Sequence, residues 1–306
     1  MNDLARPIII SASRRTDIPA FYSEWFINRI RAGYFVKVNP YNNKQQKQIS
    51  LLPADVAAFV FWTKNPAPLL PLLPLIDNRG YRYLFHFTLN YYSSVWEPRI
   101  PAFKERIAAF KRLSEQIGPD KVIWRYDPII ISNLNSVDFH LEQFSQIAQS
   151  LNGYTQRVII SLMTLYDKVK LNLKRAGLNS SDQLKDLRTQ EYQKELDTLM
   201  SGLGKLADAN QLAIYSCSEK LDLQPYNIQP GSCIDSQLLN RLFDLDLKPT
   251  KDKYQRPECR CAPSVDMGFY DTCRFGCTYC YANTNMKRVA FNTSRHDPAG
   301  PKLLDI

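Results

Sequence analysis

Residues 57–66 read Ala57-Ala-Phe-Val-Phe-Trp-Thr63-Lys64-Asn65-Pro66, an apolar run that ends abruptly in polar residues. A short run of this kind, rich in aromatic residues and without polar alternation, is typical of a strand buried on both faces of a parallel sheet. Amphipathic segments such as 103–114 and 139–148 lie between similar runs and predict helices. The other apolar runs span residues 7–12, 83–88, 121–126, 157–162 and 211–216.

The alternation of these runs with helical segments predicts an α/β fold with a parallel sheet. The six runs indicate a partial TIM-like (β/α)6 barrel, in which functional groups lie at the carboxyl ends of the strands. One polar residue at a strand end is often only a helix cap, but polar residues follow all six runs. We therefore expect the active site at one mouth of the barrel. The strand-end residues are 13–17, 63–66, 88–90, 125–128, 163–164 and 217–219.

Three cysteines lie close together near the end of the chain, in the loop Cys273-Arg-Phe-Gly-Cys277-Thr-Tyr-Cys280. The spacing C-x3-C-x2-C can hold three irons of a [4Fe-4S] cluster and leave the fourth iron free for an outside ligand. Gly276 would let the loop turn tightly around the cluster. Half of a zinc site is the alternative, but zinc pairs usually come as two C-x2-C motifs. The spacing therefore predicts an iron-sulfur cluster at these cysteines.

The other cysteines are Cys217, Cys233, Cys259 and Cys261. All seven cysteines fall between residues 217 and 280, an odd and clustered set that argues against a disulfide scaffold. If the remaining thiols converge, they could hold a second [4Fe-4S] cluster or a zinc ion with four thiolate ligands. The spacing Cys259-x-Cys261 is uncommon in zinc sites and favours the second cluster. The alternative that they are only small buried residues stays open.

The cysteine loop resembles the signature of the radical S-adenosylmethionine enzymes, including the aromatic Tyr279 just before the last cysteine. Residues 8–131 resemble the branch of these proteins related to spore photoproduct lyase. The whole chain resembles the DUF1848 family, an uncharacterised family that supplies no substrate. The matching motifs are Thr16-Asp17, Thr63-Lys64-Asn65-Pro66, Thr88, Glu97-Pro98-Arg-Ile-Pro101 and Asp127-Pro128-Ile-Ile130.

These motifs depart from the pattern of the lyase branch in three places. Asn65 replaces a serine, no Gln-Pro follows Asp17, and no Pro-Gly follows Ile130. The resemblance therefore implies the cofactor of that branch and not its DNA-repair substrate. It also implies a circular permutation, because the cluster loop normally follows the first barrel strand. Residues 264–270 would then be the strand that delivers the loop, encoded last but adjacent to the first strand in space.

The resemblance also implies roles for individual residues. Lys64 would meet the carboxylate of S-adenosylmethionine, and Tyr279 would lie beside its adenine. Thr16, Asp17 and Thr88 would line the same mouth. The implied cofactors are a [4Fe-4S] cluster and S-adenosylmethionine, and the implied partner is an electron donor such as flavodoxin or ferredoxin.

Three arginines, Arg14, Arg15 and Arg125, follow two of the predicted strands. A guanidinium at the mouth can clamp a carboxylate or a phosphate, which predicts an anionic substrate. The alternative is that these arginines pair with Asp17 and Asp127. No residue type or spacing in the chain identifies a catalytic side chain.

The charge of the chain favours anionic partners, since 39 Lys and Arg exceed 30 Asp and Glu and give a formal net charge of +9. The basic residues are dispersed, so a solvated basic surface is the alternative and nucleic acid is only a candidate partner. The apolar runs are too short to span a membrane, and residues 1–6 do not resemble a signal peptide. We therefore expect a cytoplasmic protein with no membrane partner.

The chain divides into two parts by composition. Residues 1–220 are expected to form the barrel core, with a charged, helix-periodic insertion at about 171–205. Residues 221–306 are expected to complete the barrel, to carry the cluster loop and to include a short helix at 236–243.

Two functions of different classes fit the sequence. The first is a radical S-adenosylmethionine enzyme that generates a 5′-deoxyadenosyl radical at a [4Fe-4S] cluster and acts on an unidentified anionic substrate. The second is a non-enzymatic, cysteine-rich zinc protein that binds nucleic acid through its basic surface. The presence of only three histidines argues against the second function, because zinc sites commonly use histidine ligands.

Overall fold

A computed structural model describes residues 7–178 and 184–305. Residues 1–6, and residues 179–183 of the predicted insertion, lie outside the described residues. The strands are β1 (Ile8–Ala12), β2 (Tyr34–Asn39), β3 (Asn42–Ser50), β4 (Val56–Thr63), β5 (Tyr83–Thr88), β6 (Val122–Ile129), β7 (Ile131–Ser132), β8 (Arg157–Leu162), β9 (Leu184–Lys185), β10 (Ala213–Cys217), β11 (Gln229–Gly231) and β12 (Val265–Asp266). The helices are α1 (Ile18–Phe21), α2 (Ser23–Ala32), α3 (Leu73–Asp77), α4 (Phe103–Ile117), α5 (Val137–Ser150), α6 (Asp167–Arg175), α7 (Gln193–Ala209), α8 (Ser236–Phe243) and α9 (Met286–Thr293).

Eight of these strands form one all-parallel sheet, in the order β11-β10-β8-β6-β5-β4-β1-β12. The predicted α/β fold with a parallel sheet is therefore confirmed. From β1 to β11 the order follows the chain, whereas β12, the last strand, lies beside the first. Ile10 and Ser11 of β1 pair with Val265 and Asp266 of β12. The segment predicted to deliver the cysteine loop thus occupies the position beside β1.

All six apolar runs form strands of this sheet. The predicted bounds of β5 and β8 agree with the structure, and the other four strands differ by a few residues at one or both ends. The short helix predicted at 236–243 is confirmed as α8. The edge strand β11 was not predicted because it contains Pro230, which cannot donate a hydrogen bond and is tolerated only at the edge of a sheet.

Two small antiparallel ladders, β2–β3 and β7–β9, were also not predicted. The strand β3 reads Asn-Asn-Lys-Gln-Gln-Lys-Gln-Ile-Ser, and its first seven residues are exposed. No apolar periodicity marks such a strand, because its backbone pairing with β2 rather than side-chain burial holds it in place.

The sheet is buried on both faces, as its unbroken apolar strands predicted. On one face Phe59, Phe61 and Phe85 pack under α2, α4, α5 and α7, with the rings of Phe61 and Phe85 4.6 Å apart. Full burial of one such side chain stabilises the fold by about 1.5–3 kcal/mol. On the other face Val60 and Leu84 pack against α8 and residues 259–262. The cysteine-rich part of the chain therefore covers the second face of the sheet.

The segment predicted as a helical insertion at about 171–205 contains the end of α6, the strand β9 and most of α7. Leu196, Leu199 and Leu203 of α7 are buried in the main core, and α7 packs against α5. In this position α7 is the helix that connects β8 to the parallel strand β10. Within the described residues, no helix is both long and apolar enough to cross a membrane.

Candidate functional site

The cysteine loop lies between β12 and α9, with its three thiols half-buried. Gly276 has a φ of 70°, a left-handed conformation that glycine adopts without strain. The amide of Cys280 donates to the carbonyl of Cys277 across 3.1 Å, which closes the second half of the loop into a turn. Gly276 therefore makes the tight turn that the sequence predicted.

Contacts from three other parts of the chain hold this loop in place. The amide of Thr278 donates to the carbonyl of Trp96 at 3.0 Å, in the segment between β5 and α4. The side-chain amide of Asn172, on α6, donates to the carbonyl of Cys280 at 3.1 Å. The hydroxyl of Tyr22 donates to the carbonyl of Thr272 at 2.7 Å. These contacts anchor the loop through its backbone amide and carbonyl groups rather than through its thiols.

The three thiols of the loop lie close enough together to affect one another's ionisation. Burial raises the pKa of Cys273, and the nearby Cys280, Asp17 and Cys277 raise it further. Burial also raises the pKa of Cys277, to about 12, although Lys64 acts in the opposite direction. Each of these thiols is close enough to another to oppose its ionisation. A metal ion bound by these thiols would lower their pKa instead, because metals bind the thiolate form and compete with protons for it.

Lys64, at the end of β4, reaches the cysteine loop through a buried polar network. Its Nζ lies 2.8 Å from Glu97 Oε1 and 3.0 Å from the hydroxyl of Tyr279, which also donates to Glu97. Arg106 Nη1 lies 3.6 Å from Glu97 Oε2. Burial lowers the pKa of Lys64, but Glu97 and Cys277 more than offset this, so the pKa is raised. Lys64 is therefore a charged group held at the edge of the loop.

Asp17 and Thr16 lie beside this network, after β1. Asp17 Oδ1 accepts the amide of Ala20 at 2.9 Å and caps α1, while Oδ2 accepts the amide of Lys64 at 2.7 Å. Burial raises the pKa of Asp17 to about 7, against hydrogen bonds that lower it. The hydroxyl of Thr16 is buried without a hydrogen-bond partner among the described residues. Thr88 ends β5 and stands opposite Arg125 of β6.

The three arginines predicted to bind substrate differ in their partners. Arg125 makes two parallel bonds to Asp127, at 2.9 and 2.6 Å, and a third to Cys233 Sγ at 2.8 Å. The pair of Arg125 with Asp127, one of the two alternatives for this arginine, is therefore present.

Arg14 and Arg15 do not pair with Asp17. Arg14 donates to Ser264 Oγ at 3.0 Å, and its Nε lies 3.9 Å from Asp266. Burial lowers the pKa of Arg14, but Asp266, Cys261 and Cys233 raise it more, so the net shift is upward. The guanidinium of Arg15 lies 5.0 Å from the ring of Tyr270 and, within residues 7–178 and 184–305, has no carboxylate partner.

The four other cysteines also come together. Cys217 ends β10, Cys233 follows β11, and their sulfurs are 3.0 Å apart. Cys259 and Cys261 are buried in the same cluster as Cys233, and the amide of Ile234 donates to Cys261 Sγ at 3.4 Å. Hydrogen bonds from Cys217 and Cys261 hold the pKa of Cys233 well below that of an ordinary thiol, and Arg125 lowers it further. The seven cysteines of the chain thus form two groups, one on the loop and one over the sheet.

Neither group of thiols has the geometry of a metal site in this structure. Among residues 7–178 and 184–305, no three His, Cys, Asp or Glu side chains are arranged as the ligands of one metal ion. In the second group the sulfurs of Cys217 and Cys233 are instead in direct contact, at 3.0 Å.

Two acidic residues of this site received no role from the sequence. Glu97 belongs to a motif that was recognised, but its contacts with Lys64 and Tyr279 join residues far apart in the chain. Asp266 accepts hydrogen bonds from Ser11 at 2.7 Å and Ser13 at 2.8 Å, across the ladder between β1 and β12. Asp266 is a polar residue at the end of the last strand, and this position could have identified it from the sequence.

Comparison with known proteins gives one match. The family described as Domain of unknown function (DUF1848) matches residues 9–282. No curated protein and no solved structure matches the chain.

Proposed function

Because this chain belongs to the DUF1848 family, whose description names no activity, we propose a function from the site itself: a radical S-adenosylmethionine enzyme that acts on an anionic substrate. One observation carries the proposal. Lys64 Nζ and the hydroxyl of Tyr279 are 3.0 Å apart although 215 residues separate them in the chain. They belong to two motifs whose resemblance to these enzymes is independent.

The residues present suit the cofactors of this class. Cys273, Cys277 and Cys280 offer three thiol donors on one tight loop, one for each of three irons. The buried hydroxyl of Thr16 lacks a partner and is available to a ligand in the mouth. When bound, a [4Fe-4S] cluster with an open iron would supply the electron that cleaves S-adenosylmethionine to a 5′-deoxyadenosyl radical.

The side chains around the loop would position the methionine end of the cofactor. Lys64 would bind its carboxylate, a charge-assisted contact of the kind that Lys makes with anions. Glu97 fixes the ammonium group of Lys64, and the guanidinium of Arg106 lies 3.6 Å from the second oxygen of Glu97, which accepts no hydrogen bond from the described residues. The hydroxyl of Tyr279 donates to the carboxylate of Glu97 and so holds the loop against Lys64. Glu97 and Tyr279 therefore hold the ammonium group of Lys64 in place before any ligand binds.

The order of strands in the sheet supports the circularly permuted, partial barrel that this function requires. In that fold β12 is the first barrel strand, and β1, β4, β5, β6 and β8 follow it in the order observed. The cysteine loop then follows the first strand, as in the enzymes it resembles. We therefore infer a circularly permuted, partial barrel whose mouth carries the site.

An anionic substrate is best supported by Arg15 among the three predicted arginines. Arg14 and Arg125 are occupied by carboxylates of the protein, whereas no carboxylate of the described residues pairs with Arg15. Lys168 Nζ lies 4.7 Å from the ring of Tyr270, on which Arg15 also packs. Two cations thus share one aromatic ring next to the cysteine loop and could receive a carboxylate or phosphate.

Binding of S-adenosylmethionine tests the role of Lys64. In anaerobically reconstituted protein, Lys64→Met is expected to weaken this binding roughly 10- to 200-fold, since a hydrogen bond to a charged group contributes about 1.5–3 kcal/mol. Lys170→Met serves as the control, because its ammonium is exposed and pairs only weakly with Asp167 at 4.0 Å. Isothermal titration measures both variants. Equal affinities for the two would show that Lys64 does not contact the cofactor.

A further inference from the structure

Four thiols from separate parts of the chain meet over the second face of the sheet. Cys217 and Cys233 lie at the β10–β11 end of the strand order, and Cys259 and Cys261 precede β12 at its other end. Cys233, Cys259 and Cys261 are buried in one cluster, Cys217 packs against it, and the sulfurs of Cys217 and Cys233 are 3.0 Å apart. We refer to these residues as the four-thiol group.

Donors already point at the sulfurs of this group. Arg125 Nη1 lies 2.8 Å from Cys233 Sγ, and Asp127 fixes its guanidinium with two further bonds. The amide of Ile234 donates to Cys261 Sγ at 3.4 Å. Donors of this kind stabilise thiolates rather than thiols, and such outer contacts are typical of metal-ligating cysteines.

The four-thiol group supplies the donor set of a tetrahedral zinc site, although no three of its thiols are arranged around one point in this structure. We propose that Cys217, Cys233, Cys259 and Cys261 bind one zinc ion in tetrahedral geometry, separately from the cysteine loop. Zn–S bonds of about 2.3 Å place tetrahedral sulfurs about 3.8 Å apart. The sulfurs of Cys217 and Cys233 are 3.0 Å apart, so they must separate by about 0.8 Å to become ligands. A cubic cluster binds one sulfur at each of four irons and would require a larger separation.

The charge of such a centre is balanced by the arginines around it. Four thiolates and one divalent cation leave two net negative charges. Arg125 contacts Cys233 directly, and Arg14 interacts electrostatically with Cys233 and Cys261. The ion would therefore join segments from both ends of the strand order, and its role is structural, because four protein ligands leave no open position.

Metal analysis of a variant without the loop cysteines isolates the four-thiol group. After expression with both iron and zinc, Cys273→Ala/Cys277→Ala/Cys280→Ala is expected to retain about one zinc per chain. Adding Cys233→Ser and Cys261→Ser to this variant should remove the zinc. The result does not depend on the proposed enzyme function, since this variant lacks the loop thiols. Iron with sulfide in place of zinc, or no metal at all, would overturn the proposal.

Cobalt provides a second measurement that needs no mutation of the four-thiol group. The loop variant, stripped of metal by a chelator, is titrated with Co²⁺ under anaerobic conditions. Intense visible absorption of tetrahedral, thiolate-bound cobalt that saturates at about one equivalent is the expected result. Weak absorption typical of octahedral cobalt, or no saturation, would show that these thiols only pack against the sheet.

Discussion

Replacing Cys273, Cys277 and Cys280 together with alanine is expected to lower the iron content of reconstituted protein from about four atoms per chain to below one. The same variant should form no 5′-deoxyadenosine from S-adenosylmethionine. The physical reason is that these thiols are the three donors that the loop supplies, and its anchoring contacts use backbone amide and carbonyl groups instead. Iron and sulfide assays measure the first effect, and chromatography of the nucleoside measures the second.

The anchoring contacts also predict that this variant stays folded. The alanines keep the backbone carbonyls of residues 272 and 280, which accept hydrogen bonds from Tyr22 and Asn172. The matched control is Cys259→Ala, which removes a thiol from the other group and should leave the iron of the loop in place. Retention of about four irons in the loop variant would place the cluster elsewhere and contradict the assignment.

Replacing Glu97 with alanine is expected to lower the free energy of unfolding by roughly 3–5 kcal/mol, because the change leaves a buried cation without its counterion. The side chain of Glu97 is 1% exposed and that of Lys64 is 14% exposed, so water cannot replace the lost partner. Arg106 loses the same carboxylate. Urea-induced unfolding of the purified protein measures the change.

An exposed ion pair of the same kind gives the matched control. Glu195 on α7 pairs with Lys185 at 3.3 Å, with side chains that are 34% and 39% exposed. Glu195→Ala is expected to change the free energy of unfolding by no more than about 1 kcal/mol. Similar losses for the two variants would mean that the network around Lys64 does not hold the site together.

The sheet could be predicted from the sequence because its strands are buried on both faces. Runs such as 83–88 and 157–162 consist mostly of apolar residues, and this composition indicates their burial. The hairpin β2–β3 could not be predicted, because its polar residues are held by backbone pairing. The position of β12 followed only from the resemblance, since two residues of strand carry too little local pattern.

The site could be predicted where its contacts are local or where a motif marks them. Arg125 pairs with Asp127, two residues away, and that pair was one of the stated alternatives. The contact of Arg14 with Asp266 spans most of the chain and has no local signal. The number and clustering of the cysteines indicated a second metal site if the four thiols converged, but whether they converge depends on the fold.

Formation of 5′-deoxyadenosine is the most direct test of the proposed function. Wild-type protein, reconstituted anaerobically with iron and sulfide, is mixed with S-adenosylmethionine and assayed with and without dithionite. The proposal predicts 5′-deoxyadenosine and methionine in equal amounts, only with dithionite and only when the loop carries about four irons. Protein that carries this iron and binds S-adenosylmethionine, yet forms no 5′-deoxyadenosine with dithionite, would contradict it.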